Sequence, residues 1–241
     1  MDMPIDLQHQ AMGYDRTATM FSPEGHLLQV EYAEKTVRLG PSSIGMVCSN
    51  GVFIIGDKRI VDILVSLKST NRIVEIDDHL IASVAGIISD ARVLVERAQV
   101  LAQQHKVTYD SPVEPELIIK DIANLKQQFS QYGGARPFGV SMMLAGINGE
   151  KPELYTSDVT GSYFAYNANA IGENDEKVKE KLRERYKKDL TIKKGVKVAL
   201  DILEEIQGDK FKIDRIELAY VDSKEKKVRR VEGEKIRDFV K

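Results

Sequence analysis

The chain has no tryptophan, a single cysteine, no long apolar run and no excess of either charge. With Cys48 alone, an internal disulfide and a multi-cysteine metal site are excluded, and the composition fits a reducing cytosol. No apolar stretch approaches the ~20 residues that span a bilayer, so no membrane partner is expected. Lys+Arg 35 against Asp+Glu 37 leaves a formal net charge of −2. A protein that neutralises many phosphates needs a basic face, so no nucleic acid is expected as a partner. The opening MDMPIDLQHQ carries acids and lacks an apolar centre, which argues against a signal peptide and for a cytoplasmic location.

The common chemical motifs are missing as well. No phosphate-binding G-x-x-x-x-G-K-[ST] appears, and no G-x-G-x-x-G follows a strand; the glycines of 146–151 have the spacing of a turn. There is no G-x-S-x-G elbow for a serine hydrolase. His9, His26, His79 and His105 are not paired at metal-ligand spacing, so neither a metal nor another cofactor is expected. Asp77 and Asp78 are adjacent, and neighbours on a strand point to opposite faces, so they read as a turn rather than a carboxylate pair.

What is present is a chain of 241 residues, enough to bury roughly 70–75% of its unfolded surface without a staple. Residues 1–13 read as a polar mobile tail without periodicity, and 14–241 as one domain, with no linker, repeat or low-complexity block. Ser22-Pro23-Glu24-Gly25 is turn chemistry. Leu27, Val30, Ala33 and Val37 then predict a helix over 27–39, with Lys35 and Arg38 toward its C-terminal end and Gly40 as stop.

Short apolar runs follow at 44–48 and 52–55 around Asn50-Gly51, the strongest short hairpin signal. A second strand pair, 73–76 and 80–85, flanks the Asp77-Asp78 turn. The period then changes to that of helices over about 87–105 and from Ile118 through Phe129 to Gly133-Gly134. Strands return at 139–147, 153–156, 162–166 and 168–171. Residues 173–188 predict a charged surface helix, supported by the pairs Glu173–Lys177, Asp175–Lys179 and Glu184–Lys188. Residues 191–207 predict another helix, with Thr191 as cap and Gly208 as stop. A hairpin over 213–221 and 226–231 and a short helix from Glu232 complete the chain. Segregated strands and helices predict an α+β fold: a four-layer α/β/β/α sandwich of two antiparallel sheets.

Several motifs at consistent relative positions carry a resemblance. Tyr14-Asp15-Arg16, FSPEG at 21–25 and LLQVEYA at 27–33 resemble the N-terminal signature of proteasome α-type subunits of the archaeal-like 20S core. SDARVLVERA at 89–98, QYGGARPFGVSMMLAGI at 131–147 and AIGEND at 170–175 extend it across nearly the whole chain. It implies an N-terminal-nucleophile hydrolase-like fold and a non-catalytic subunit of a threonine-type endopeptidase complex. Such subunits form the outer heptameric ring, gate the axial pore with their N-terminal tails, and receive the C-terminal tails of regulatory ATPases. The implied partners are other α subunits, proteasome β subunits, those ATPase tails and unfolded polypeptide substrate.

Residue by residue, Tyr14, Asp15, Pro23 and Tyr32 match the gate cluster. Gly40, Arg72, Gly86 and Ile87 match the activator-tail pocket, with arginine where lysine is usual. Tyr132, Gly133, Gly134, Ala135, Arg136, Pro137 and Phe138 match the channel constriction. Glu34, His26 and Pro41 depart from the usual residues. The catalytic β-type relatives use an N-terminal threonine whose free amine acts as its base. The equivalent position here is Pro41, so no catalytic residue is expected, and Asp57 and Arg59 read as structural. Two rivals remain: an N-terminal-nucleophile amidohydrolase, and a ring scaffold for another partner.

Overall fold

The computed structural model describes residues 12–14, 16–59, 64–65 and 71–241. The tail expected over 1–13 therefore falls, save for Met12 and Gly13, outside the described residues, as does Asp15. Helix α1 spans Leu28–Leu39 and leads into the hairpin β1 (Ser43–Cys48) and β2 (Gly51–Asp57). Strands β3 (Ile73–Asp77) and β4 (Leu80–Gly86) come next, then helices α2 (Ile88–Tyr109) and α3 (Pro115–Gln131). Four strands follow: β5 (Val140–Asn148), β6 (Lys151–Ser157), β7 (Tyr163–Ala165) and β8 (Ala168–Ile171). Helices α4 (Asp175–Arg185) and α5 (Ile192–Gln207), strands β9 (Ile216–Asp222) and β10 (Val228–Glu232), and helix α6 (Glu234–Val240) complete the order.

The strands form two five-stranded sheets, β10-β9-β2-β1-β8 and β3-β4-β5-β6-β7, with every pairing antiparallel. The period-2 alternation of each central strand feeds two different cores. On β2, Phe53 and Ile55 point to the helix layer of α4, α5 and α6, while Val52 and Ile54 point to the other sheet. On β5, Val140, Met142 and Leu144 meet α2 and α3, while Met143, Ala145 and Ile147 enter the space between the sheets. Both faces are thus buried, which makes the expected α+β four-layer sandwich the observed one. Helix α1 adds Val30, Ala33 and Val37 to the inter-sheet core and packs on β4 and β5.

Several local expectations change. Thr191 occupies the N-cap of α5, but its side chain makes no capping hydrogen bond. The Ile192 N–H instead donates to Asn50 Oδ1 at 2.9 Å, so the hairpin turn caps the helix. Helix α4 is shorter than 173–188: it starts after Asn174, at φ 58, and ends at Arg185. Asp175 and Lys179 pair as expected, at 2.6 Å. Glu173 precedes the helix and pairs with Arg59, and Lys188 lies beyond the last turn, so Glu184 takes Lys181 at 3.8 Å. Helix α2 runs a turn longer than expected and ends where Asp110 adopts a left-handed conformation, φ 50.

Candidate functional site

Three of the four residues expected to form an activator-tail pocket meet at one end of the sandwich. Gly40 ends α1, and Gly86 ends β4. A Cβ on Gly40 would lie 2.7 Å from the Gly86 nitrogen, and one on Gly86, at φ +122, would lie 2.0 Å from Gly139 O. No side chain fits between these backbones, which is why glycine stands at both positions. The Ile87 N–H donates to Gly139 O at 2.9 Å.

Arg72 immediately precedes β3, whose first residue Ile73 pairs with Ser83 of β4, so it lies toward the same end of the sheet as Gly86. Its own N–H and that of Ile73 both donate to Glu217 Oε1, at 2.5 and 2.9 Å. Its guanidinium is half-buried among Glu217, Arg59 and Asp57; burial lowers its pKa, and Glu217 opposes that shift. Arg72 Nε is buried and, among the described residues, has no hydrogen-bond partner; the same holds for Glu217 Oε2.

Glu217 is 1% exposed, and desolvation pushes its carboxyl upward against the pull of those two amides and Lys58. Lys58, also buried, pairs with Glu232 at 3.0 Å and stands 3.9 Å from Glu217. Sequence reading missed Glu217; its signal was an acid in the otherwise apolar run IELAYV.

The position that would hold a nucleophile is closed by structural contacts. Pro41 is buried, and its carbonyl lies against Gly172. Ser42 Oγ donates to Glu173 O at 2.5 Å, and Ser43 and Ser83 join through their hydroxyls at 2.8 Å. Asp57 accepts from the Arg59 N–H at 2.9 Å, from Arg215 at 2.5 Å and from Gln207 at 3.3 Å. Arg59 turns away to Glu173. Asp57 and Arg59 are therefore held in structural contacts, and proline at position 41 supplies no hydroxyl.

The residues expected to form a gate lie at and before α1. Pro23 is exposed in a turn closed by the Gly25 N–H donating to Ser22 O at 2.9 Å, and Ser22 Oγ accepts from the His26 N–H at 3.2 Å. Tyr32 is partly exposed on α1, with Lys35 Nζ 5.2 Å from its ring centre. Tyr14 is partly exposed ahead of the turn. Glu34 overlooks a cleft of about 270 Å³ bounded also by Arg38, Asp158 and Lys179; burial, reinforced by Asp158, raises its carboxyl pKa.

The seven loop residues divide. Tyr132, Gly133 and Gly134 are exposed, whereas Pro137 and Phe138 are buried, Phe138 against Phe129 at 4.7 Å. Arg136 makes a two-pronged bond to Asp90, with both contacts at 2.6 Å. Among the described residues, no group of His, Cys, Asp and Glu could hold a metal ion, and no helix is long and apolar enough to cross a membrane.

The two stacked antiparallel sheets flanked by helices, with a helix ahead of the first strand, form the α+β sandwich expected from the sequence. Comparison with known proteins makes the family specific. The family model described as "Proteasome subunit" matches residues 37–221, and the model for the N-terminal signature of A-type proteasome subunits matches 14–35. The chain is 42% identical over 228 residues to the proteasome α subunit of Pyrococcus horikoshii, covering 95% of this chain and 87% of the relative. It is 39% identical over 229 residues to that of Methanosarcina thermophila, covering 95% and 93%. It is 37% identical over 231 residues to that of Methanothermobacter thermautotrophicus, covering 96% and 93%. The chain belongs to the proteasome subunit family, as an α-type, non-catalytic member of the 20S core in protein degradation.

Proposed function

We propose that this chain forms the outer heptameric ring of a cytosolic 20S proteasome and controls access of unfolded polypeptide to β subunits that carry the threonine nucleophiles. In this reading the segment before α1 is the gate, with Tyr14, Asp15, Pro23 and Tyr32 holding its open form. Gly40, Arg72, Gly86 and Ile87 receive the C-terminal tail of a regulatory ATPase. The turn at Tyr132, Gly133, Gly134 and Ala135, with Arg136, Pro137 and Phe138 behind it, lines the inner constriction.

The observation that supports the docking reading is Arg72, a half-buried cation that directly precedes β3 at the end of the sheet where Gly40, Gly86 and Ile87 meet. A carboxylate reaching the guanidinium would gain a charge-assisted hydrogen bond. Arginine in place of lysine offers a planar fork instead of a point charge.

The test is peptide hydrolysis by the assembled α/β particle, with and without the ATPase. Arg72→Ala should leave basal hydrolysis unchanged and lower the stimulated rate. Full stimulation would remove Arg72 from the pocket. Deleting residues 1–12 should raise basal hydrolysis, and an unchanged rate would argue against a gate.

A further inference from the structure

One backbone unit, Gly139, touches the candidate pocket and shares the Asp90 carboxylate with Arg136, which follows the exposed turn. Its carbonyl accepts from the Ile87 N–H at 2.9 Å and lies 3.2 Å from Thr36 Oγ1, which also donates to Ala33 O at 2.7 Å. Its own N–H donates to Asp90 Oδ2 at 3.1 Å. Asp90 lies in the first turn of α2, with its side chain 9% exposed. The same carboxylate accepts from Arg136 Nη1 and Nη2, at 2.6 Å each. Arg136 Nη1 donates in addition to Pro137 O at 3.0 Å. The Arg136 bond, aided by Gly139, holds the Asp90 carboxyl below its ordinary range.

The space around this unit is closed. A Cβ on Gly139 would meet Ile87 Cδ1 and Thr36 Oγ1, each at 2.7 Å, and one on Gly86 would strike Gly139 O at 2.0 Å. A shift at Ile87 therefore cannot be absorbed locally, because the packed backbones leave no slack. It must carry the Gly139 peptide with it, and with that peptide the carboxylate that holds Arg136. Arg136 is in turn an anchor directly after the exposed turn, which the Ala135 N–H closes by donating to Tyr132 O at 3.3 Å.

We propose that Asp90 is a positioning residue: it fixes the turn bearing Tyr132, Gly133 and Gly134, and through Gly139 it makes that turn respond to events at Ile87. An ATPase tail seated against Ile87 then adjusts the inner constriction as well as the gate. This rests on the pocket and constriction assignments proposed above. The physical link itself does not depend on them, because it is a chain of hydrogen bonds on one carboxylate and one peptide unit.

The chain has no tryptophan, and Tyr132 is 74% exposed, so Tyr132→Trp supplies a single reporter on the turn in the purified full chain. Asp90→Asn keeps an acceptor for the Gly139 N–H but loses the ion pair; it should lower the fluorescence anisotropy of the reporter. Arg136→Gln should do the same, and combining the two should add nothing. Ile87→Pro removes the N–H at a position whose φ of −72 proline already adopts, and it should lower the anisotropy from outside the turn. Ile87→Ala, which strips the side chain lying against Gly139, carries this arm if the proline variant does not fold. Added salt should lower the anisotropy in the parent and leave Asp90→Asn flat, a response that general loosening of the fold would not give.

Anisotropy unchanged in Asp90→Asn would overturn the proposal, and so would a turn that ignores both Ile87 variants. No activator enters this experiment. Failure of the docking reading, detected by Arg72→Ala in the hydrolysis assay, is therefore distinguishable from failure of the link.

Discussion

Replacing Lys126 with methionine should remove a pH dependence of stability that the parent chain shows above neutrality. Lys126 lies on α3 and is fully buried. Its ammonium donates to Asp158 O at 3.0 Å, Ser157 Oγ at 3.2 Å and Ser157 O at 3.3 Å. Burial lowers its pKa from 10.5 to about 7, and Asp158 restores only part of that loss. The folded chain thus gives up this proton near neutrality, while the unfolded chain keeps it until the ordinary lysine range.

Between those two values the unfolded state binds more protons, so stability rises with pH. One proton sets the slope at no more than about 1.4 kcal/mol per pH unit, and the whole window at roughly 4–5 kcal/mol. Below the folded pKa both states are charged, and this group contributes no slope.

The assay is guanidinium unfolding at fixed protein concentration, at several pH values from about 7 to about 9.5, compared between parent and Lys126→Met. Other titrating groups are common to both chains and cancel in the difference. Methionine keeps most of the packed stem but leaves the carbonyls of Ser157 and Asp158 a donor short. That costs about 1–3 kcal/mol for each buried group, as an offset that does not vary with pH. The variant should therefore gain on the parent at neutral pH and lose that gain as pH rises. Two parallel curves, separated by the same offset at every pH, would refute the reasoning.

Two further substitutions test particular contacts. Asn50→Ala should cost about 0.5–2 kcal/mol, because it takes the cap from α5, whereas Thr191→Ala should cost less on the same thermal unfolding measurement; the reverse ranking would return the cap to Thr191. Gly86→Ala should lower the unfolding midpoint by an amount set by about 1–3 kcal/mol of backbone strain plus the collision with Gly139 O, and should abolish activator stimulation in the assembled particle.

The fold was largely legible because its signals are local. Asn50-Gly51 marked the first hairpin, the shift from strand to helix period marked α2, and segregated strands and helices implied two stacked sheets. The proline at position 41 was equally plain, since chemistry that needs a hydroxyl beside an amine cannot be run by proline. What stayed hidden depends on partners far apart in the chain. Asn50 caps a helix that begins at Ile192, across 142 positions. Glu173 was assigned to a helical pair and instead meets Arg59, because αL geometry at Asn174 starts the helix late. Lys126 did carry a signal, a lysine four residues beyond the inward Ile122, but only the fold brings the carbonyls of Ser157 and Asp158 to it. Arg136 reads in sequence as a loop cation, and nothing short of the three-dimensional packing joins it to Asp90 and Gly139.

Native mass spectrometry of the full chain expressed alone tests the central claim, that this protein builds a ring and does no chemistry of its own. The account predicts a heptamer or two stacked heptamers, with no hydrolysis of a reporter peptide by the same sample. A chain that stays monomeric at every concentration, or one that cleaves the peptide unaided, would contradict it.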